Sequence, residues 1–184
     1  MSRYRFDNKT SRFTVQAFAT GLLSFAAHSP TFLVADVRGG IDLDGDELNQ
    51  MKLELTVKSD SLEIIDRVSA ADRTDIEGRM RREVLETSSY PEIVFRSGEV
   101  SLTPIARGRH HIRMIGPLSL HGVKHRFQVE GELVVYDDAL RIRGESPLAM
   151  SDYGIKPVTA LGGTIRLKDE LMLSYDLAFL REAP

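Results

Sequence analysis

Five histidines, His28, His110, His111, His121 and His125, offer the most obvious chemistry in this 184-residue chain. Imidazole metal sites on a helix repeat one turn apart and add a carboxylate or a third histidine at a set interval. His121 and His125 instead flank a Gly122 turn, and no further ligand stands at such an interval, so no metal or other cofactor is expected. Asp42, Asp44 and Asp46 around Gly45 resemble a calcium loop only superficially. The glycine comes fourth rather than sixth, and the twelfth position is Leu53, where a bidentate glutamate is required. They read as a hairpin turn. With no cysteine, the chain has no thiolate ligand, thiol nucleophile or disulfide. Gly39-Gly40 and Gly162-Gly163 lack the strand-glycine-helix setting of a phosphate cradle and read as bends. No Gly-x-Ser-x-Gly elbow is present, and Ser29 is merely next to His28. A hydrolase would have to be assembled from His28, His121 and Asp152.

Composition narrows the field. There are 24 Lys+Arg against 27 Asp+Glu, a net charge of -3, so no global positive field exists for nucleic acid or an anionic membrane. A hydrophobic share of 42% fits an ordinary globular protein, and the length fits one domain over residues 1–184. The longest apolar stretch, Leu22 to Ala27, is far short of the ~18 residues that cross a bilayer, so stable membrane insertion is not expected. Arg3, Arg5, Asp7, Lys9 and Arg12 interrupt any apolar export segment, which points to the cytoplasm. A homodimer is allowed on the general frequency of symmetric pairs.

The elements that must position any site show period two. Met51, Leu53, Leu55 and Val57 alternate with Lys52, Glu54, Thr56 and Lys58, the pattern of a strand with one dry face. Arg12 to Ala19, Thr31 to Leu43, Glu92 to Thr103, Arg109 to Leu120, Lys124 to Tyr136, Ala139 to Met150 and Asp169 to Arg181 behave alike, which makes eight strands. Ser97-Gly98 marks a bulge inside the fourth. Turn signals at Asp44-Gly45, Pro104 to Gly108, His121-Gly122 and Tyr136 to Asp138 link them as antiparallel hairpins. The fold class is therefore all-β: an eight-stranded antiparallel up-and-down barrel, with a two-sheet sandwich as the alternative. One short helix falls between strands three and four, over Asp72 to Glu86, where Ile76, Met80 and Val84 recur every four residues. Thr74 with Glu77 or Ser69 with Asp72 would cap it, and Tyr90-Pro91 ends any continuation.

Connections in a meander alternate between the barrel ends. Thr20 to Pro30, Asp60 to Tyr90, the His121 turn and Ser151 to Lys168 therefore share one end, the mouth, and the other end receives only short turns. Alternation directs Phe13, Val15, Leu53, Leu55, Ile93, Phe95, Met114, Leu133, Leu173 and Tyr175 inward. Phe25, His28, Met80 and Tyr153 come from mouth segments and are expected at the rim, with His28 and the Tyr153 hydroxyl toward a headgroup. His121 shares that end and could join them.

Four stretches carry a family likeness. They are Gly21-Leu22-Leu23-Ser24-Phe25 running into His28-Ser29-Pro30; Val84-Leu85-Glu86 through Tyr90-Pro91-Glu92-Ile93-Val94-Phe95-Arg96-Ser97; Gly116-Pro117-Leu118-Ser119-Leu120-His121-Gly122-Val123; and Ser151-Asp152-Tyr153-Gly154-Ile155-Lys156-Pro157 with Lys168-Asp169-Glu170. Together they resemble the YceI-like family, polyisoprenoid-binding proteins of lipocalin-like barrel fold. The chain departs from that family at the first strand, where Tyr4 or Phe6 stands in place of a frequent tryptophan. The resemblance implies a barrel that holds a long apolar tail with its headgroup toward one end. The expected function is non-enzymatic binding of a long-chain isoprenoid or fatty-acid-like lipid. The alternatives are a filled barrel serving as a protein-interaction module and, behind it, the hydrolase at the mouth.

Overall fold

A computed structural model describes residues 2–20, 29–45, 47–160 and 165–182. Its chain forms eight long antiparallel strands, several of them broken once. They are β1 (Ser2–Phe6 and Arg12–Gln16), β2 (Thr31–Val34 and Val37–Leu43), β3 (Lys52–Lys58 and Leu62–Ile64) and β4 (Glu92–Arg96 and Glu99–Ala106). Then follow β5 (Arg109–Leu120), β6 (Val123–Val135), β7 (Ala139–Ala149) and β8 (Glu170–Arg181). Each strand pairs with the next, and β8 returns to β1 through Tyr4↔Arg181 and Phe13↔Tyr175, so the sheet closes as the eight-stranded up-and-down barrel that alternation predicts.

The breaks are where the chain turns barrel corners. β2 and β3 bend together, because Ala35 N donates to Ser61 O at 3.2 Å and Asp36 N to Ser61 Oγ at 3.1 Å. The expected bulge at Ser97-Gly98 divides β4, with Ser97 N bonded to Leu53 O at 2.9 Å and Leu53 N to Ser97 Oγ at 2.8 Å. Gly39 takes a φ of 134° and lies so close to β3 that a Cβ there would sit 2.0 Å from Glu54 O, as a bend requires. Gly162 and Gly163 lie outside the described residues.

Two segments of the barrel strands were not anticipated, nor were Thr159–Ala160 and Ile165–Leu167 within the stretch read as the last mouth loop. Ser2–Phe6 extends the first strand backwards; Tyr4 and Phe6 alternate with Arg3 and Arg5 there, a pattern obscured by the density of charge. Leu62–Ile64 falls within a stretch read as connection. The first strand also ends at Gln16, and Ala19–Thr20 joins Ile165–Leu167 and Thr159–Ala160 in a small separate sheet.

Helix α1 spans Ala70–Arg79 and continues as a wider π turn over Met80–Val84, with Leu85 N bonded to Met80 O at 2.9 Å. Ser69 is its cap, accepting from Asp72 N at 3.1 Å, whereas Thr74 lies inside the helix and bonds back to Ala70 O. Ten residues make a marginal helix in water, so docking must hold it. Its anchorage is the outer edge of Leu62–Ile64. Glu77 Oε1 accepts from Ile64 N at 3.0 Å, Arg73 donates to Ile64 O, and Arg81 Nη2 donates to Leu62 O at 3.3 Å. These side chains meet backbone groups that an unpaired strand edge would otherwise expose.

The end of the barrel away from the helix is packed solid. Ile41, Ile112, Met114, Leu133 and Phe179 have no solvent exposure, and Phe6 meets the Phe179 ring edge-on at 5.7 Å. Phe179→Ala should cost about 3–5 kcal/mol, because its neighbours cannot collapse into the space. Leu173→Ala, on the looser half described below, should cost only about 2 kcal/mol. Urea unfolding of the two variants measures the difference.

Candidate functional site

The half of the barrel under the helix is a cavity of about 600 Å³. Its wall is built from alternate residues of every strand, including Val15 of β1, Phe32 of β2, Leu55 of β3, Phe95 of β4, Leu118 of β5, Phe127 of β6, Leu148 of β7 and Leu173 of β8. Ile76, Met80, Val84 and Leu85 form the roof. The period that made Ile76, Met80 and Val84 read as a helix puts them on one face, and that face looks down into the barrel. Placed there, the π turn sets Met80, 7% exposed, against the cavity. π turns often mark functional positions in helices.

Among the described residues, polar side chains line the cavity in two places. Asp72, Asp75, Arg79 and Thr159 stand at the mouth, between α1 and the small sheet. Arg79 spans the gap, its Nη2 donating to Thr159 O at 2.8 Å while its Nε faces Glu83 at 3.4 Å. Deeper in, Tyr175 is, among the described residues, the one wall residue with a polar side-chain atom, and that atom is turned away into the wall. Its hydroxyl donates to Glu130 O at 2.7 Å, accepts from Glu130 N at 3.1 Å and lies 2.8 Å from Ser146 Oγ. Burial pushes the phenol pKa up, so the group stays neutral. Among the described residues the interior therefore presents carbon, and side-chain hydrogen-bonding groups stand open at the mouth.

Of the residues selected from the sequence, Phe13, Val15, Leu53, Leu55, Met80, Ile93, Phe95, Leu173 and Tyr175 lie on this wall. Met114 and Leu133 point inward but sit in the packed half, where side chains from facing strands meet. Tyr153 is buried near the mouth end without lining the cavity. Its ring meets His125 edge-on at 5.8 Å, its hydroxyl has no partner among the described residues, and burial followed by the Asp152 charge pushes its pKa up to about 12. Phe25 and His28 lie outside the described residues. His121 is at the expected end, yet its ring is committed elsewhere: Nε2 lies 2.6 Å from Glu86 Oε2 and Nδ1 lies 3.3 Å from Tyr153 O. Glu86 and His121 both adopt left-handed backbone, with φ of 46° and 52°, so this contact joins two tight turns.

The sequence reading overlooked Asp72, Asp75, Arg79 and Thr159. The first three were detectable in principle, since they share the helical face of Ile76 and Met80 at three- and four-residue spacings. Thr159 reaches the mouth only through the small sheet's pairing.

The family model of the YceI-like domain matches residues 4–179. No curated protein matches the sequence itself. Among solved structures, BcnA of Burkholderia cenocepacia superimposes with a TM-score of 0.70 at 12% identity, covering 94% of this chain and 98% of that one. A polyisoprenoid binding domain from Saccharophagus degradans, implicated in plant cell wall breakdown, gives 0.67 at 14% identity, with 97% and 98% covered. The YceI protein of Campylobacter jejuni gives 0.58 at 16%, with 81% and 82% covered.

Two substitutions test the geometry. Leu173→Trp should abolish uptake of a long-chain lipid by filling the cavity while shifting stability by less than about 1 kcal/mol; in a filled core the same change costs about 1–3 kcal/mol. His121→Ala should lower stability by about 1 kcal/mol, the Glu86 partner being half-exposed and screened, and leave uptake within twofold. Thermal melts and a lipid-binding titration separate the two effects.

Proposed function

Because the chain belongs to the YceI-like family, we propose that it binds a long-chain amphiphilic lipid, isoprenoid or fatty-acid-like, inside the barrel, for transport, storage or sequestration and without a covalent step. The observation that carries this is the cavity of about 600 Å³, whose described lining is apolar inside apart from the engaged Tyr175 hydroxyl and polar at its mouth. Burial of a methylene-sized unit contributes about 0.8 kcal/mol, so ten units give roughly 8 kcal/mol before the cost of ordering the chain. Asp72, Asp75, Arg79 and Thr159 are the groups proposed to face the headgroup. The Saccharophagus degradans neighbour, described as polyisoprenoid binding, supports the same ligand class.

A filled barrel acting only through its surface would show a packed interior, and a cavity of this size counts against it. The hydrolase reading loses support where His121 is engaged by Glu86 and Asp152 points to solvent. The cytoplasm is the proposed compartment, which cell fractionation reads directly. Native mass spectrometry of protein taken from cells, followed by lipid extraction, tests the binding itself. The expected result is a mass increment matching one extracted lipid. A ligand-free mass together with no uptake of prenyl alcohols would overturn the proposal.

A further inference from the structure

The barrel wall is stitched unevenly. β6 pairs with β5 from Leu120↔Val123 to Arg109↔Val134, and β7 pairs with β8 from Ala139↔Leu180 to Ala149↔Glu170. β6 and β7, however, pair with each other only from Val135↔Leu140 to Gly131↔Gly144, and beyond that point no strand pairing joins them among the described residues. Two residues keep them apart. The Tyr175 hydroxyl occupies the next rung, bonding to both Glu130 O and Glu130 N and lying 2.8 Å from Ser146 Oγ of β7. Backbone groups of a strand face alternate sides, and Tyr136 N donates to Ala139 O, so the odd positions of β7 face β6. Pro147 is one of them and has no N–H to give.

This parting runs from the mouth down to Glu130, and cavity-lining carbon flanks it: Phe127 and Val129 on β6, Leu148 on β7. At the mouth end it is covered by the single turn Met150–Tyr153, where the Tyr153 ring meets His125 of β6 edge-on and the Tyr153 carbonyl lies 3.3 Å from His121 Nδ1. Separating two strands elsewhere in the barrel breaks ladder bonds, and lifting α1 breaks its bonds to Leu62–Ile64. Here, among the described residues, ring packing and the His121 contact hold the turn against β6. Closure also carries a cost. Tyr153 is 1% exposed and its hydroxyl has no partner among the described residues, an unfavourable burial that ends once the group meets water. Gly154 follows directly with a φ of 67°, a glycine able to take up a change of backbone angle. Resting on the lipid-binding reading above, we propose that the apolar chain enters and leaves sideways between β6 and β7, with the Met150–Tyr153 turn as the gate. The headgroup stays at the mouth while the tail swings in along the slot, and neither the ladder nor the helix has to come apart.

The test is to stitch the slot shut and time the traffic of cis-parinaric acid, a long-chain fatty acid whose fluorescence rises on leaving water, by stopped flow. Gln128→Cys with Pro147→Cys puts two thiols where the β6–β7 ladder would continue, in a chain with no other cysteine. They are joined by oxidation or, where the strands stand too far apart, by a short bis-maleimide linker. Uptake and release should both slow by at least about tenfold, while the equilibrium affinity stays within about threefold, because a blocked route changes rates and not end states. Tyr153→Phe keeps the ring and removes the unpartnered hydroxyl, so the closed gate gains: both rates should fall by about fivefold with no loss of melting temperature. Unchanged rates in the cross-linked protein overturn the side route and leave lipid binding standing. A lower melting temperature or unchanged rates in Tyr153→Phe overturns the gate. Failure of the unmodified protein to take up parinaric acid or any prenyl alcohol overturns the lipid-binding reading and the route with it.

Discussion

The rest of the structure depends on the seam where β1 pairs with β8. An open sheet of this length would leave two unpaired edges, whereas closure satisfies their backbone groups and forces all inward side chains into one enclosed space. The seam is held at one end by Tyr4, whose hydroxyl accepts from Arg181 Nη2 at 2.7 Å and Nε at 3.0 Å while its ring lies under the same guanidinium. Toward the mouth it runs through Phe13↔Tyr175, so the residue that helps close the barrel also lines the cavity. Architecture and ligand space are linked through that strand pair.

Where closure is incomplete, the helix supplies what is lacking. The short Leu62–Ile64 segment has β2 on one side only, and Glu77, Arg73 and Arg81 satisfy its other edge. Each of these bonds also fixes α1 over the barrel, which is how Ile76 and Met80 come to roof the cavity. The helix is thus fastened along one flank by several bonds to a strand, and Arg79 reaches across the mouth from the other. A polar, exposed feature of the sequence, its run of arginines and glutamates, does the positioning for an apolar site.

The interior divides by polarity as well as by packing. Tyr175 could have offered a deep hydrogen-bonding anchor, but its hydroxyl is saturated by the wall behind it. Among the described residues the polar side chains left open to the cavity are all at one end, which fits the proposed ligand with one polar terminus and a featureless tail. His121, which shares that end, instead ties the turn after the π segment to the β5–β6 hairpin, through Glu86 on one side and the Tyr153 carbonyl on the other.

Strand number, the antiparallel meander and the faces of Leu53, Leu55, Ile93, Phe95 and Leu173 were legible in the sequence, because side-chain alternation is a local consequence of strand geometry. The helix was legible for the same reason at another period, though not the π turn that closes it. Depth was not legible. Met114 and Leu133 share the inward parity of the cavity wall, yet they lie in the packed half, since distance along the barrel follows from how the strands are staggered against one another. Nor could sequence show that His121 would be taken by Glu86, thirty-five residues earlier in the chain, or that Thr159 would be carried to the mouth by its pairing with Arg166. Local periodicity decides which way a side chain points; only the closed, staggered barrel decides what it finds there.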